Sequence, residues 1–290
     1  MEFWTNIPYK TNQSMKYIVV IVLVVCVYSC KKNNKENEFT KTYVQKEEIQ
    51  LVNPKIIVNN VIIDTSSSII ASLPLDQTVI RYTTDGNEPT ETSEKYTDII
   101  SISESGTYTF KAFHPEFKSS GSEQVSFFKK GIDVDIFSLI TPLNKQYPGQ
   151  GESTLVNHKK GTLNFRDGEW IGVTEPFIAI IDFKTKIFLD SVDIGYLVNT
   201  DAWIFPIQNV SIAFSENGAD FTDIEPQEAL EKIKTGSTKL DNIHIPVAKK
   251  LKKLKIKISN VTSIPKWHQG KGNPAWLFMD EWIFNAKISN

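Results

Sequence analysis

The chain has 290 residues, with 32 Lys plus Arg against 34 Asp plus Glu and a net charge of −2. That length accommodates about two domains, and that charge lacks the basic excess on which nucleic-acid or anionic-surface binding depends. Apolar residues make up 40%, rings are plentiful (17 Phe, 9 Tyr, 6 Trp), and the two cysteines, Cys26 and Cys30, lie in or beside one apolar run. Cores can therefore be packed, the mixture of rings with Thr, Ser, Asn and Ile favours strands, and a disulfide framework or cysteine zinc site is excluded.

Behind Lys16, residues Tyr17 to Tyr28 read YIVVIVLVVCVY. About a dozen apolar residues after a basic flank are too few to cross a hydrocarbon core of about 30 Å, and they have the form of an export signal. The run ends in Val27-Tyr28-Ser29-Cys30 and resembles a bacterial lipobox. The resemblance implies lipidation of Cys30, membrane attachment through that anchor, and an outer-membrane lipoprotein on the periplasmic or cell-surface face. Met15, directly before Lys16, is the expected true start. Residues 1–30 are assigned to the signal and 31–50 to a polar tether.

Residues 51–130 alternate apolar and polar side chains in short runs, such as Val79-Ile80-Arg81-Tyr82-Thr83 and Tyr108-Thr109-Phe110-Lys111-Ala112-Phe113. Turn-forming clusters separate them, which predicts antiparallel strands at about ten-residue spacing in an immunoglobulin-like sandwich. Asp85-Gly86 and Glu88-Pro89 form a tight turn after a strand. The segment IRYTTDGNEPTETSEKY, Ile80 to Tyr96, followed by the Lys111-Ala112 strand, resembles the chitobiase/β-hexosaminidase C-terminal domain family. Members of that family accompany glycan-active domains, which implies an accessory role. Asp85 and Glu88 are read as turn formers, and His114 as a loop residue.

Residues 135–290 again alternate in short runs, with one helical possibility at Pro226 to Lys234, closed by Gly236. So little helix in about 155 residues predicts an all-β sandwich or jelly roll. Three stretches, Ser153 to Val173, Asp201 to Phe221 and Ile264 to Phe284, carry Leu-Val-Asn-His-Lys-Lys-Gly, Phe-Arg-Asp-Gly-Xaa-Trp, Trp-Ile-Phe, Ser-Xaa-Asn-Gly and Trp-His with Asp-Glu. They resemble the discoidin, or coagulation-factor type C, galactose-binding-like fold, in the version appended to family-20 hexosaminidases of Bacteroidetes. The whole chain is thus expected to be all-β, an immunoglobulin-like sandwich followed by a discoidin-type one.

That resemblance implies a structural calcium or sodium ion where the first loop meets the last strand; the alternative is a loop closed by hydrogen bonds alone. Hard cations take six to eight oxygens. Carried over by position, Thr154 and Lys159 offer carbonyls, Asn157 and Thr162 side chains, Asp280 a carbonyl and Glu281 a carboxylate. Asn157 stands where the family has Asp, so one formal charge is missing.

Five of the six tryptophans lie in this half, most of them beside turn residues. Rings on loops stack on the C–H faces of sugars while neighbouring polar groups read the hydroxyls. Trp170 and Trp282 alternate with core residues and are expected inside. Trp203, Trp267 and Trp276, with His268 and Asn273, form the candidate carbohydrate site. His158, His244 and His268 have no zinc-ligand spacing. Lys253, Lys255 and Lys257 alternate with Leu254, Ile256 and Ile258, which predicts a strand with a solvated lysine face.

Asp280-Glu281 superficially matches the catalytic pair of family-20 hexosaminidases, but those act on a barrel of about 250 residues with alternating helices, absent here. The pair is read as cation ligand and strand end. No nucleophile elbow, Walker loop or His-Glu-Xaa-Xaa-His occurs. The expected function is lipid-anchored, non-catalytic carbohydrate binding at the cell envelope. Its expected partners are galactose or N-acetylhexosamine glycans and glycoside hydrolases. A protein-adhesion lipoprotein and a divergent hexosaminidase-associated protein are the alternatives.

Overall fold

A computed structural model describes residues 46–228 and 236–287 of the chain. The export signal, Cys30 and most of the tether lie outside the described residues.

The N-terminal sandwich comprises β1 (Lys55–Val58), β2 (Ile62–Ile63), β3 (Ser67–Ser72), β4 (Val79–Thr83), β5 (Glu94–Lys95), β6 (Ile100–Ile102), β7 (Gly106–Phe113) and β8 (Ser122–Lys129). They form a three-stranded sheet, β1-β3-β6, and a five-stranded sheet, β2-β8-β7-β4-β5. The period-2 pattern sends Ile63, Ile69, Ala71, Ile102, Phe110 and Phe127 between the sheets, with Tyr82 stacked on Phe110 at 5.7 Å. Asp85 and Glu88 behave as turn formers. The Asp85 carboxylate accepts the Asn87 N–H at 3.0 Å, Gly86 takes the left-handed conformation at φ 79°, and Glu88 pairs with Lys111 on β7. Hydrogen bonding from Asn87 holds Asp85 below the usual carboxylate range.

The C-terminal half contains β9 (Ile136–Leu139), β10 (Ile171–Val173), β11 (Phe177–Asn199), β12 (Asn209–Ser215), β13 (Thr222–Glu228), β14 (Thr238–Ser259) and β15 (Leu277–Ala286). They make one seven-stranded sheet of order β10-β15-β11-β14-β12-β13, with β9 added to β11. β11 and β14 are too long to remain in one flat layer. Irregularities in their register between Asp182 and Ile187, and between Leu189 and Ser191, bend the pair, as bulges do. The first part of β11 then pairs with β9 and the second with β15, and the two layers face each other. Phe177 meets Trp282 edge-on at 6.0 Å and Phe183 meets Phe284 at 5.7 Å across the core.

Trp170 and Trp282 are buried. On β14, Leu254, Ile256 and Ile258 are buried while Lys255 and Lys257 are exposed, and Lys253 pairs with Asp182 at 3.2 Å. One expectation is corrected. Pro226 to Glu228 belong to strand β13, not to a first helical turn; the remainder of that segment lies outside the described residues. β13 is the sheet's edge, and Pro226 falls in its register shift, where a missing N–H costs no ladder bond.

The linker joins the last strand of the first sandwich to the last strand of the second. The Ile132 N–H donates to the Phe284 carbonyl at 2.9 Å, and the Lys160 ammonium lies 5.1 Å over the Phe128 ring.

Candidate functional site

Three connections meet at the start of β15. Backbone bonds tie them, from the Trp276 N–H to the Trp203 carbonyl at 2.9 Å and from the Phe205 N–H to the Trp276 carbonyl at 2.9 Å. The Asn260 side-chain amide adds bonds to the carbonyls of Thr174 and Ala275 at 2.8 and 2.9 Å. Residues 264–273 fold into consecutive tight turns, with His268 N–H on the Pro265 carbonyl, Lys271 N–H on the His268 carbonyl and Asn273 N–H on the Gly270 carbonyl. Lys266, Trp267, Gln269 and Lys271 are thereby held outward.

The five residues expected to bind sugar do come to one end, but in different roles. Trp267 is the open ring, 44% exposed, resting on buried Phe205 at 6.1 Å. Trp203 and Trp276 are half-buried. Trp203 sits in the left-handed conformation at φ 64°, its ring covering Gly270, where an added Cβ would stand 2.9 Å from the indole. Asn273 is exposed, and its amide donates to the Gly270 carbonyl at 3.1 Å. His268 is corrected from a hydroxyl-reading group to an internal strut. It is 4% exposed; its Nδ1 accepts the Gly270 N–H at 2.9 Å, so its Nε2 donates to the Thr200 carbonyl at 2.8 Å. The imidazole faces Trp203, Phe205 and Trp267 edge-on and locks the loop.

Sequence reasoning missed Tyr147, Phe165 and Phe205. Tyr147 lies 5.0 Å from Trp276 and 6.0 Å from Phe165. The available signal was the one applied to the tryptophans, a ring next to turn residues, here Tyr147-Pro148-Gly149 and Asn164-Phe165-Arg166-Asp167-Gly168.

Among the expected cation ligands, the side chains of Asn157, Thr162 and Glu281 are engaged in hydrogen bonds within the protein, while Thr154, Lys159 and Asp280 are the ones expected to contribute backbone carbonyls. The Thr154 hydroxyl accepts the Gln150 N–H at 2.7 Å. Asn157 accepts the Lys159 N–H and donates to Glu169 at 2.8 Å, so its oxygen belongs to a local turn. The Thr162 hydroxyl donates to Asp167 at 2.7 Å, and its carbonyl accepts from the Trp170 indole at 3.1 Å. Asp280 and Glu281 lie within β15, not at its end, and both are buried. The Asp280 carboxylate takes the Lys160 ammonium at 2.7 Å and the Gly161 N–H at 2.9 Å. Glu281 accepts the His158 N–H at 2.8 Å. Among the described residues no group of three or more His, Cys, Asp or Glu is arranged to hold a metal. A lysine ammonium already neutralises Asp280.

Burial pushes the Asp280 carboxyl up while Lys160 pulls it back. Burial pushes Glu281 up to about 8, opposed by the hydrogen bond from His158 and reinforced by Asp280. A cavity of about 100 Å³ beside Glu281, lined also by Asp133, His158 and Trp282, is smaller than the roughly 300 Å³ at which small-molecule pockets begin.

Fold and site together define an all-β chain of two sandwich modules. Residues 63–125 match the family model of the chitobiase/beta-hexosaminidase C-terminal domain, from the end of β2 into β8. No curated protein matches the chain at a significant level. Several solved structures are similar to parts of it. A Clostridium perfringens domain, CpGH89CBM32-4, in complex with GlcNAc-α-1,4-galactose, has 14% identity and a TM-score of 0.34 over 53% of this chain and 91% of that one. A SusE-like protein has 12% identity and a TM-score of 0.35 over 81% and 99%. The C-terminal domain of a chitobiase from Bacteroides fragilis has 14% identity and a TM-score of 0.31 over 55% and 99%.

Proposed function

We propose that this chain is a non-catalytic saccharide-binding protein, tethered to the cell envelope through Cys30. The observation that carries the reading is Trp267, an exposed indole on a loop that a buried histidine and three tight turns hold still. A large ring left in water at the tip of a pre-ordered loop offers a flat apolar face with little ordering cost on binding, which is what stacking on a sugar requires. Trp203 and Trp276, both half-buried, are held at the same end of the sandwich by their backbone pairing. The site is shallow, so dissociation constants are expected in the high-micromolar to millimolar range, roughly −4 to −6 kcal/mol.

Terminal galactose and N-acetylhexosamine oligosaccharides are the first ligands to titrate, following tryptophan fluorescence. Trp267→Ala is expected to stay folded and lose binding about tenfold or more, because the ring is exposed and its removal opens no cavity. Unchanged affinity in a folded Trp267→Ala protein would sink the assignment.

A further inference from the structure

We infer that the same end of the C-terminal sandwich carries a second contact surface, formed by Tyr147, Phe165, Trp276 and Arg166, that takes the anionic group of an acidic saccharide. The inference rests on the saccharide-binding reading and names the class of sugar. Tyr147, Phe165 and Trp276 are half-buried, meet edge to face, Tyr147–Trp276 at 87° and Tyr147–Phe165 at 76°, and pack together on buried Phe278, so each keeps only part of its ring surface toward solvent. Trp276 joins this surface to the Trp267 loop, since its backbone pairs with Trp203 and Phe205.

Arg166 supplies the charge. The chain contains 30 lysines and only two arginines. Arg81 is used internally, donating to the Ser93 carbonyl. Arg166 is exposed, with its guanidinium 5.2 Å over the Phe165 ring. The acids next to it in sequence have other partners. Asp167 accepts from the Thr162 N–H and hydroxyl, both at 2.7 Å, and from the Glu169 N–H at 2.9 Å. Glu169 accepts from Gln150 at 2.7 Å and from Asn157 at 2.8 Å. Among the described residues no carboxylate pairs with Arg166. The cation lies over the Phe165 ring, and with no carboxylate partner its N–H fork can meet a planar or tetrahedral oxyanion, which a lysine ammonium matches less well. A saccharide bearing such a group beside a face that stacks on rings, a hexuronate or a sulfated sugar, has the complementary chemistry.

The test is isothermal titration of the full chain with matched neutral, uronate and sulfated oligosaccharides, at low and high salt, for wild type, Arg166→Gln and Arg166→Lys, with Trp267→Ala as reference. Wild type is expected to bind at least one acidic series about tenfold more tightly than the neutral one at low salt, with the advantage shrinking at high salt. Arg166→Gln should reduce that advantage to about twofold or less, and Arg166→Lys should restore only part of it. Whether uronate, sulfate or both gain identifies the oxyanion. Equal affinity for acidic and neutral series, or an acidic preference that survives Arg166→Gln, overturns this inference while leaving the saccharide reading intact. Absence of binding to any series overturns both.

Discussion

Glu281 shows how one side chain's surroundings set its chemistry. Its carboxyl is buried beside Asp280, and burial raises it from an ordinary 4.5 to about 8. Between those values the unfolded chain has released a proton that the folded chain retains, so stability falls as pH rises. The contribution is fully present below about 4.5 and is lost through about 8. Glu281→Gln keeps an oxygen for the His158 N–H and removes the titration. Its thermal unfolding temperature should exceed that of wild type at pH 9 by several degrees, at about 2–4 °C per kcal/mol, and the excess should vanish near pH 5. A constant difference across that range would mean that the folded-state carboxyl is not raised.

At the scale of elements, Lys160, β11 and β15 form one device. Gly195 in β11 leaves the space in which Lys160 meets Asp280, and an added Cβ there would stand 1.9 Å from both charged atoms. The Asn242 side chain adds a contact to the ammonium at 3.4 Å. Removing one member of a buried pair leaves the other uncompensated, at a cost of about 3–5 kcal/mol. Lys160→Met should lower stability by about that amount in denaturant titration, and adding Asp280→Asn should recover a substantial part. If the two substitutions add independently, the pair is not coupled as its geometry requires.

For the whole molecule the same device bears on ions. With Asp280 neutralised by Lys160 and the side-chain oxygens of Thr154, Asn157 and Thr162 engaged in the loop, millimolar calcium should leave the unfolding temperature where a chelator leaves it. A ligand that bound only the native state at about 100 times its dissociation constant would add about 2.7 kcal/mol, so a rise of several degrees would show that the loop opens to admit a cation. Attachment is tested separately. Cys30→Ala, with its signal cleaved, should move the protein from the membrane to the soluble fraction, since the acyl chains are the proposed anchor; retention at the wild-type level with the signal cleaved normally would count against lipidation.

Local pattern alone determined what depends on neighbours in the chain. The period-2 alternation of Leu254, Ile256 and Ile258 with lysines, the Asp85-Gly86 turn and the inward Trp170 and Trp282 were all legible, because strand pleating and turn chemistry act over a few residues. Tertiary structure decided the rest. His268 and Trp267 are adjacent rings in a turn-rich segment, yet the polar one is a buried strut and the apolar one is exposed, because only the fold brings the Thr200 carbonyl, Phe205 and Gly270 around the imidazole. Nothing near Asp280 in sequence announces that Lys160, 120 positions earlier, meets its carboxylate. Pro226 opened a plausible helix until pairing with β12 drew it into an edge strand. Charge partners and strand pairing are set by contacts distant in sequence, and no periodicity within one segment encodes them.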